Sequence, residues 1–216
     1  MSLGKRPFRQ TEMVYCNCPG ECGKLGNSGL KQQEEERMTE NVKRISTVGI
    51  GIALFVVFTL CLQVPVFENY YLCLGYVVMA VYCYSVGTLE GTLVGVLGTI
   101  LYCVLTGGLR GMPGWAAGNI VIGVEMGALF RYTKNWEPGL FRAAISVLII
   151  TLAVAEGILG VKSLVEHILY SQPFLVRVAK NTSAFIADTF VLVVSLPFCR
   201  LLHERIKAWN NRTRSA

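Results

Sequence analysis

Three thiols near the start of the chain, Cys16, Cys18 and Cys22, form a C-x-C-x3-C cluster to which Pro19, Gly20 and Gly23 lend turn geometry. Thiolates so spaced are ligands for a soft metal such as zinc. No fourth ligand lies nearby, so the cluster reads equally as part of an unstructured, reduced tail. Trp115 and Asn119, four residues apart, stack on one side of a helix. An aromatic plane beside an amide that both donates and accepts suits a small heterocyclic or amide-bearing ligand. The plainer alternatives are an interfacial tryptophan and an amide that hydrogen-bonds between helices. Glu125, Glu156 and Asp188 interrupt apolar runs. An ionisable group there costs roughly 2.5–3.5 kcal/mol on insertion scales, so each is expected to face the bundle interior, a wet cavity or a partner. Asn181 precedes Asp188 by one to two turns, which makes an inward-facing polar cluster plausible.

Absent motifs narrow the chemistry. The chain has no Walker-type phosphate loop, no H-E-x-x-H zinc site and no G-x-S-x-G elbow, so no enzymatic activity of its own is expected, ATP hydrolysis included. His167 and His203 are isolated, and the sequons at Asn181 and Asn211 read as chance matches. No cofactor and no nucleic-acid partner is expected.

The elements that must position these residues follow from composition. Of 216 residues, 53% are hydrophobic and only 16% charged, more than a soluble core needs, and a bilayer is the simpler solvent. Residues 1–44 include the acidic run Glu34, Glu35 and Glu36 and read as a flexible cytosolic tail, 45–204 as an all-α, six-helix membrane domain, and 205–216 as a basic cytosolic tail. The expected spans are 45–64, 72–87, 88–107, 115–130, 140–161 and 184–202. Lys and Arg near the span ends favour both termini in the cytosol, with Lys43, Arg44, Arg131, Lys134, Arg142, Arg200, Arg205 and Lys207 on inner flanks. Arg110, Lys162, Arg177 and Lys180 then fall in outer loops, where the last three mark either an anionic ligand or a tolerated exposed loop.

Inside lipid, close helix approach comes from small residues. Gly87, Gly91, Gly95 and Gly98 repeat along one face, and Gly114 with Gly118, and Gly123 with Gly127, repeat on the next span, which predicts a tight bundle. Gly49 and Ala53 form a small-x3-small pair on the first span. It reads first as packing against one of the chain's own helices and second as a face for a partner. The five cysteines in or beside spans, Cys61, Cys73, Cys83, Cys103 and Cys199, read as small packing residues.

The block from Tyr71 to Arg131 resembles the substrate-binding S components of energy-coupling factor (ECF) vitamin transporters. The likeness rests on Leu89-Glu90-Gly91-Thr92-Leu93-Val94-Gly95-Val96-Leu97-Gly98, then Gly111-Met112-Pro113-Gly114-Trp115, and a glycine-containing helix that ends Phe130-Arg131. It extends over roughly residues 43–205. The resemblance implies a plasma-membrane subunit that captures a vitamin or related small nutrient outside and delivers it inside, partnered by a membrane coupling subunit and two cytosolic ATPase subunits. It also implies docking of the coupling subunit on Gly49 and Ala53, and a substrate site formed by Tyr70, Tyr71, Arg110, Trp115, Asn119 and Asn181, with Asp188 deeper. Two other classes fit a polytopic chain. A stand-alone secondary transporter typically shows internal repeats, and no convincing repeat relates the two halves of this sequence. A membrane sensor or scaffold subunit is favoured by the cysteine-bearing tail.

Overall fold

An apolar run such as the one that starts at Ile45 must satisfy its backbone internally once it enters lipid, and a helix does so within a single segment. The computed structural model describes residues 22–61, 64–67, 70–133, 136 and 139–215. Helix α1 spans Cys22–Cys61 and leads into an antiparallel hairpin of β1 (Val64–Phe67) and β2 (Tyr70–Leu72). Then come α2 (Gly75–Ser85), α3 (Thr88–Thr106), α4 (Met112–Thr133), α5 (Leu140–Val154), a π-helical segment (Ala155–Lys162), α6 (Ser163–Tyr170) and α7 (Phe174–Ser215). The all-helical expectation therefore meets one exception among the described residues, the hairpin. It pairs Val64 with Leu72, Pro65 with Tyr71 and Phe67 with Tyr70, and its register shifts between Pro65 and Phe67. Proline has no N–H to give a ladder, which confines it to such edges and irregularities.

The chain divides into two units, Met1–Lys43 and Arg44–Ala216, and the packed helices belong to the second. Within the first, the segment read as a tail is helical from Cys22 onward, and Thr39 Oγ1 donates to the Glu35 carbonyl at 2.8 Å. Cys16 and Cys18 lie outside the described residues, so the thiol cluster is not placed.

Among the described residues, four helical stretches are long and apolar enough to cross a bilayer: Arg37–Cys61, Thr88–Thr106, Leu140–Tyr170 and Phe174–Arg205. Six were expected. α2 has 11 residues, about 17 Å of helix against a hydrocarbon core of ~30 Å. α4 has 22, but Asn119, Glu125, Arg131 and its glycines dilute its apolar character. Both helices nevertheless sit in the middle of the packing. Tyr76, Met79 and Ala80 of α2, and Ile122 and Met126 of α4, are buried in the core with Phe55 of α1, Val94 of α3, Ile150 of α5 and Leu192 of α7.

The glycine repeats make that packing possible. A Cβ added at Gly91 would lie 2.6 Å from the Cys83 backbone nitrogen, one at Gly98 would lie 2.5 Å from the Phe55 ring, and one at Gly123 would lie 2.6 Å from Thr92 Oγ1. α2, α3 and α4 thus meet backbone to backbone along one seam. Gly107, at φ +73°, ends α3 in the left-handed conformation that glycine adopts without penalty.

The fifth and sixth helices run farther than their apolar windows. Lys162, His167, Arg177 and Lys180, expected in an outer loop, lie on helices instead, and only residues 171–173 connect α6 to α7. The apolar windows stop at charged residues, whereas a helix continues where those residues find partners, as Arg177 does with Glu166.

Candidate substrate site

One end of the bundle gathers the hairpin, the 107–111 connection and the α6–α7 turn, together with most of the residues singled out by chemistry. α2, α3 and α4 are joined there by a chain of hydrogen bonds. Trp115 Nε1 donates to Tyr76 Oη at 2.9 Å, and Tyr76 donates in turn to Asn119 Oδ1 at 2.8 Å. Asn119 Nδ2 donates to Thr99 Oγ1 at 2.6 Å and to the Gly95 carbonyl at 3.2 Å. Both amide protons are committed and the residue is 0% exposed, so Asn119 works as a knot between helices. Trp115 is half-buried, and Tyr102 meets its ring edge-on at 5.7 Å. The pair expected to act on a ligand is therefore split: Asn119 holds the scaffold, and Trp115 is the member left partly accessible.

Beside this knot the π-helical segment passes close to α4. A Cβ on Gly118 would lie 2.7 Å from the Gly157 carbonyl oxygen, and one on Gly114 would lie 3.3 Å from Lys162 Cγ and 3.1 Å from Glu166 Cγ. Two residues without side chains thus admit Lys162 and Glu166 to the bundle. π-helical turns are frequent at functional sites because they re-aim side chains within a helix. Lys162 is the charge that acts on Asp188, which α7 buries to 6% exposure near Tyr76 and Cys73.

Farther out, Asn181 Nδ2 donates to Ser163 Oγ at 3.0 Å and to Glu166 Oε2 at 3.4 Å, and Arg177 Nη1 lies 3.4 Å from the same carboxylate oxygen. Tyr170 is approached by two guanidinium groups, Arg110 at 4.9 Å and Arg177 at 5.8 Å from its ring centroid. Its hydroxyl donates to the Arg110 carbonyl, tying the 107–111 connection to α6. Of the residues expected to line a site, Arg110, Trp115, Asn119, Asn181 and Asp188 are thus brought to one end. Tyr70 and Tyr71 form β2, which runs beside α7, and their side chains are outside what is described. The buried Asn181 is no glycan acceptor in this fold.

Sequence reasoning missed Tyr76, Ser163, Glu166 and Tyr170, and placed Lys162 in a loop. A signal for two of the missed residues was present, since Glu166 and Tyr170 follow Lys162 at four-residue spacing, as Asn181 follows Arg177 on the facing helix. Tyr76 carried none, being one aromatic in an apolar run. The three acidic residues expected in spans do not share one environment. Asp188 is buried, Glu125 is half-buried and Glu156 is exposed.

The opposite end holds a different chemistry. Arg44 forms an ion pair with buried Glu90, its Nε 3.0 Å from Oε1. Arg142 donates to the Trp136 carbonyl at 2.6 Å, and a cavity of about 460 Å³ is bordered by Arg44, Ser85, Glu90 and Arg131. Along the side, α1 presents its buried face through Gly51, Phe55 and Thr59, whereas Gly49 has nothing within 4 Å of an added Cβ and Ala53 is exposed. Among the described residues, the small pair therefore packs on no other helix.

Several apolar helices and an outward surface rich in Leu, Val and Phe define a multi-pass membrane protein. The sequence pattern of one family, described as "ECF-type riboflavin transporter, S component", matches residues 39–203, and the chain belongs to that family of ECF S-component transport proteins. Among curated relatives it is 27% identical over 182 residues to UPF0397 protein VS_II0189 of Vibrio atlanticus (strain LGP32), covering 82% of this chain and 98% of that protein. It is 26% identical over 166 residues to UPF0397 protein str0306 of Streptococcus thermophilus (strain CNRZ 1066), covering 71% and 90% respectively. A third, UPF0397 protein VFMJ11_1662 of Aliivibrio fischeri (strain MJ11), is 26% identical over 161 residues, covering 73% and 87%.

Proposed function

We propose that this chain is the substrate-specific subunit of an ECF-type uptake transporter, capturing a vitamin or related nutrient outside the cell and delivering it inside with a membrane coupling subunit and two cytosolic ATPases. In this reading six crossings are made by α1, α2, α3, α4, the continuous α5 to α6, and α7. Both termini are cytosolic, and the protein resides in the plasma membrane. The observation that carries the reading is the Trp115–Tyr76–Asn119 chain beside buried Asp188, at the end where the chain's connections gather. Trp115, Asp188, Arg110, Tyr70 and Tyr71 face the substrate, and Asn119 and Asn181 brace that wall. The connection around Gly107 closes over the ligand, and its φ of +73° gives the backbone the freedom this needs. Gly49 and Ala53 form the docking stripe for the coupling subunit, supported by the bare surface around Gly49. ATP hydrolysis by the partners supplies the work through their different affinities for the outward and inward states.

Riboflavin, named in the family description, is the first substrate to test. The experiment is mass spectrometry of small molecules released when the purified protein is denatured. A stoichiometric vitamin in wild type, lost in Trp115→Ala at unchanged thermal stability, is the expected result. An empty protein that also binds no member of a vitamin panel would overturn the proposal.

A further inference from the structure

Two hollows lie outside the candidate substrate site, and they share a wall. The first is the cavity of about 460 Å³ bordered by Arg44, Thr88, Glu90 and Arg131. The second is an apolar groove of about 740 Å³ between α1, α2 and α7, walled by Leu54, Phe58, Val77, Val81, Val194 and Phe198. Ser85 and Val86, at the C-terminal end of α2, line both. A single ligand that fills both hollows therefore has a polar end and an apolar end, joined beside Ser85.

The polar end carries one net positive charge. Glu90 is neutralised by its ion pair with Arg44, whereas exposed Arg131 has no ion pair among the described residues. One phosphodiester balances that charge, and guanidinium groups are the donors best matched to its oxygens. Ser85 Oγ is buried without a hydrogen-bond partner, a donor left over where the cavity meets the groove.

The apolar end has the length of one leaflet. From Val77 to Val86 the groove follows about 13 Å of α2, against the ~15 Å that one leaflet's chains occupy in a ~30 Å hydrocarbon core. Leu54, Val194 and Phe198 are exposed on two of the long apolar helices, so the groove opens sideways, where such helices meet lipid. An inorganic anion gains nothing from this groove, and an apolar helix gains nothing from the cavity.

We propose that this face holds one anionic phospholipid of the cytosolic leaflet, with its phosphate at Arg44 and Arg131, a glycerol ester carbonyl accepting from Ser85, and an acyl chain along the groove. Basic pockets between helices on the cytosolic side are suited to such headgroups. The inference takes its sidedness from the orientation proposed above and is independent of the substrate carried.

The test is native mass spectrometry of the full chain in detergent, titrated with phosphatidylglycerol or with phosphatidylcholine of the same acyl chains. Wild type is expected to keep one phosphatidylglycerol about five-fold more tightly than phosphatidylcholine, the factor that one basic group contributes near a membrane surface. Arg131→Gln should bring the two lipids level, whereas Lys180→Gln, an equal loss of charge at the other end of the bundle, should leave the preference intact. Val194→Trp fills the groove from an exposed position and should weaken both lipids while the lipid-free protein melts as wild type does. Glycerophosphoglycerol, the same headgroup without chains, should not displace the lipid even in excess. Equal retention of the two lipids by wild type, or a preference that survives Arg131→Gln, overturns the proposal. So does displacement by the chainless headgroup, which would make the cavity a site for a soluble phosphodiester. A dimer in place of the lipid adduct overturns it too, since the groove would then be a contact between copies of the chain.

Discussion

Two regions of the bundle bury polar groups by opposite means. At the seam of α2, α3 and α4, Tyr76, Thr99 and Asn119 satisfy one another at 2.6–2.8 Å around glycines that admit the neighbouring backbone. Where the π-helical segment and α6 face α7, burial is achieved by charge: Glu166 is held by Arg177 and Asn181, and Asp188 has Lys162 only at a distance. A saturated network of neutral groups rigidifies and has nothing left to offer a ligand. An incompletely paired set of charges is costly in the resting protein and becomes useful when a substrate completes it. The seam is the frame, and under the proposed function the α6–α7 end is where recognition happens.

The frame is where a single substitution does most damage. Gly91→Leu drives a side chain into the Cys83 backbone, which has no room to withdraw between α2 and α3, and a cost of about 3 kcal/mol or more is expected. In detergent this variant should lose its cooperative melt or express only as aggregate. The same substitution at Gly49 meets open space, so Gly49→Leu should melt as wild type does while uptake in cells falls with loss of the coupling subunit. Equal melts for the two variants would show that the seam is not what organises the bundle.

Legibility in the sequence follows the same division. The small-residue repeats of α3 and α4 are periodic and uncharged, so the spacing of Gly91, Gly95, Gly98, Gly123 and Gly127 alone marks a packing face, and they form one. Trp115 and Asn119 were legible as neighbours, but not their separate tasks, because those depend on Tyr76, a residue 39 positions from Trp115. The α6–α7 end was hidden for a different reason. A charge count assigns Glu166 and Arg177 to solvent, and only the facing stripes reveal that they pair with each other. Short α2 shows the limit of hydropathy from the other side: its 11 residues lie deep in the packing although they are too few to span lipid alone.

A smaller effect probes the charged region. Arg177→Met strands Glu166, whose side chain is 7% exposed, and breaking such a pair costs about 3 kcal/mol when the survivor stays charged. Because Asn181 still donates to Glu166, the expected loss in unfolding free energy is somewhat less, on the order of 2 kcal/mol. Adding Glu166→Gln should recover most of it, since the orphaned charge is then gone. A double variant no more stable than Arg177→Met alone would mean that the arginine acts through packing on Tyr170 and not through the carboxylate.

The smallest expected effect concerns the link between the two regions. Tyr170 reaches the Arg110 carbonyl through its hydroxyl and the two arginines through its ring, so Tyr170→Phe removes one hydrogen bond and keeps the ring contacts. About 1 kcal/mol of stability at most is at stake. The more telling readout is kinetic. If the 107–111 connection opens to admit substrate, releasing it from α6 should raise association and dissociation rates together, by a few-fold each, with little change in Kd. A change in Kd at constant association rate would instead make Tyr170 part of the wall that touches the ligand, and would move the boundary between frame and recognition site outward to α6.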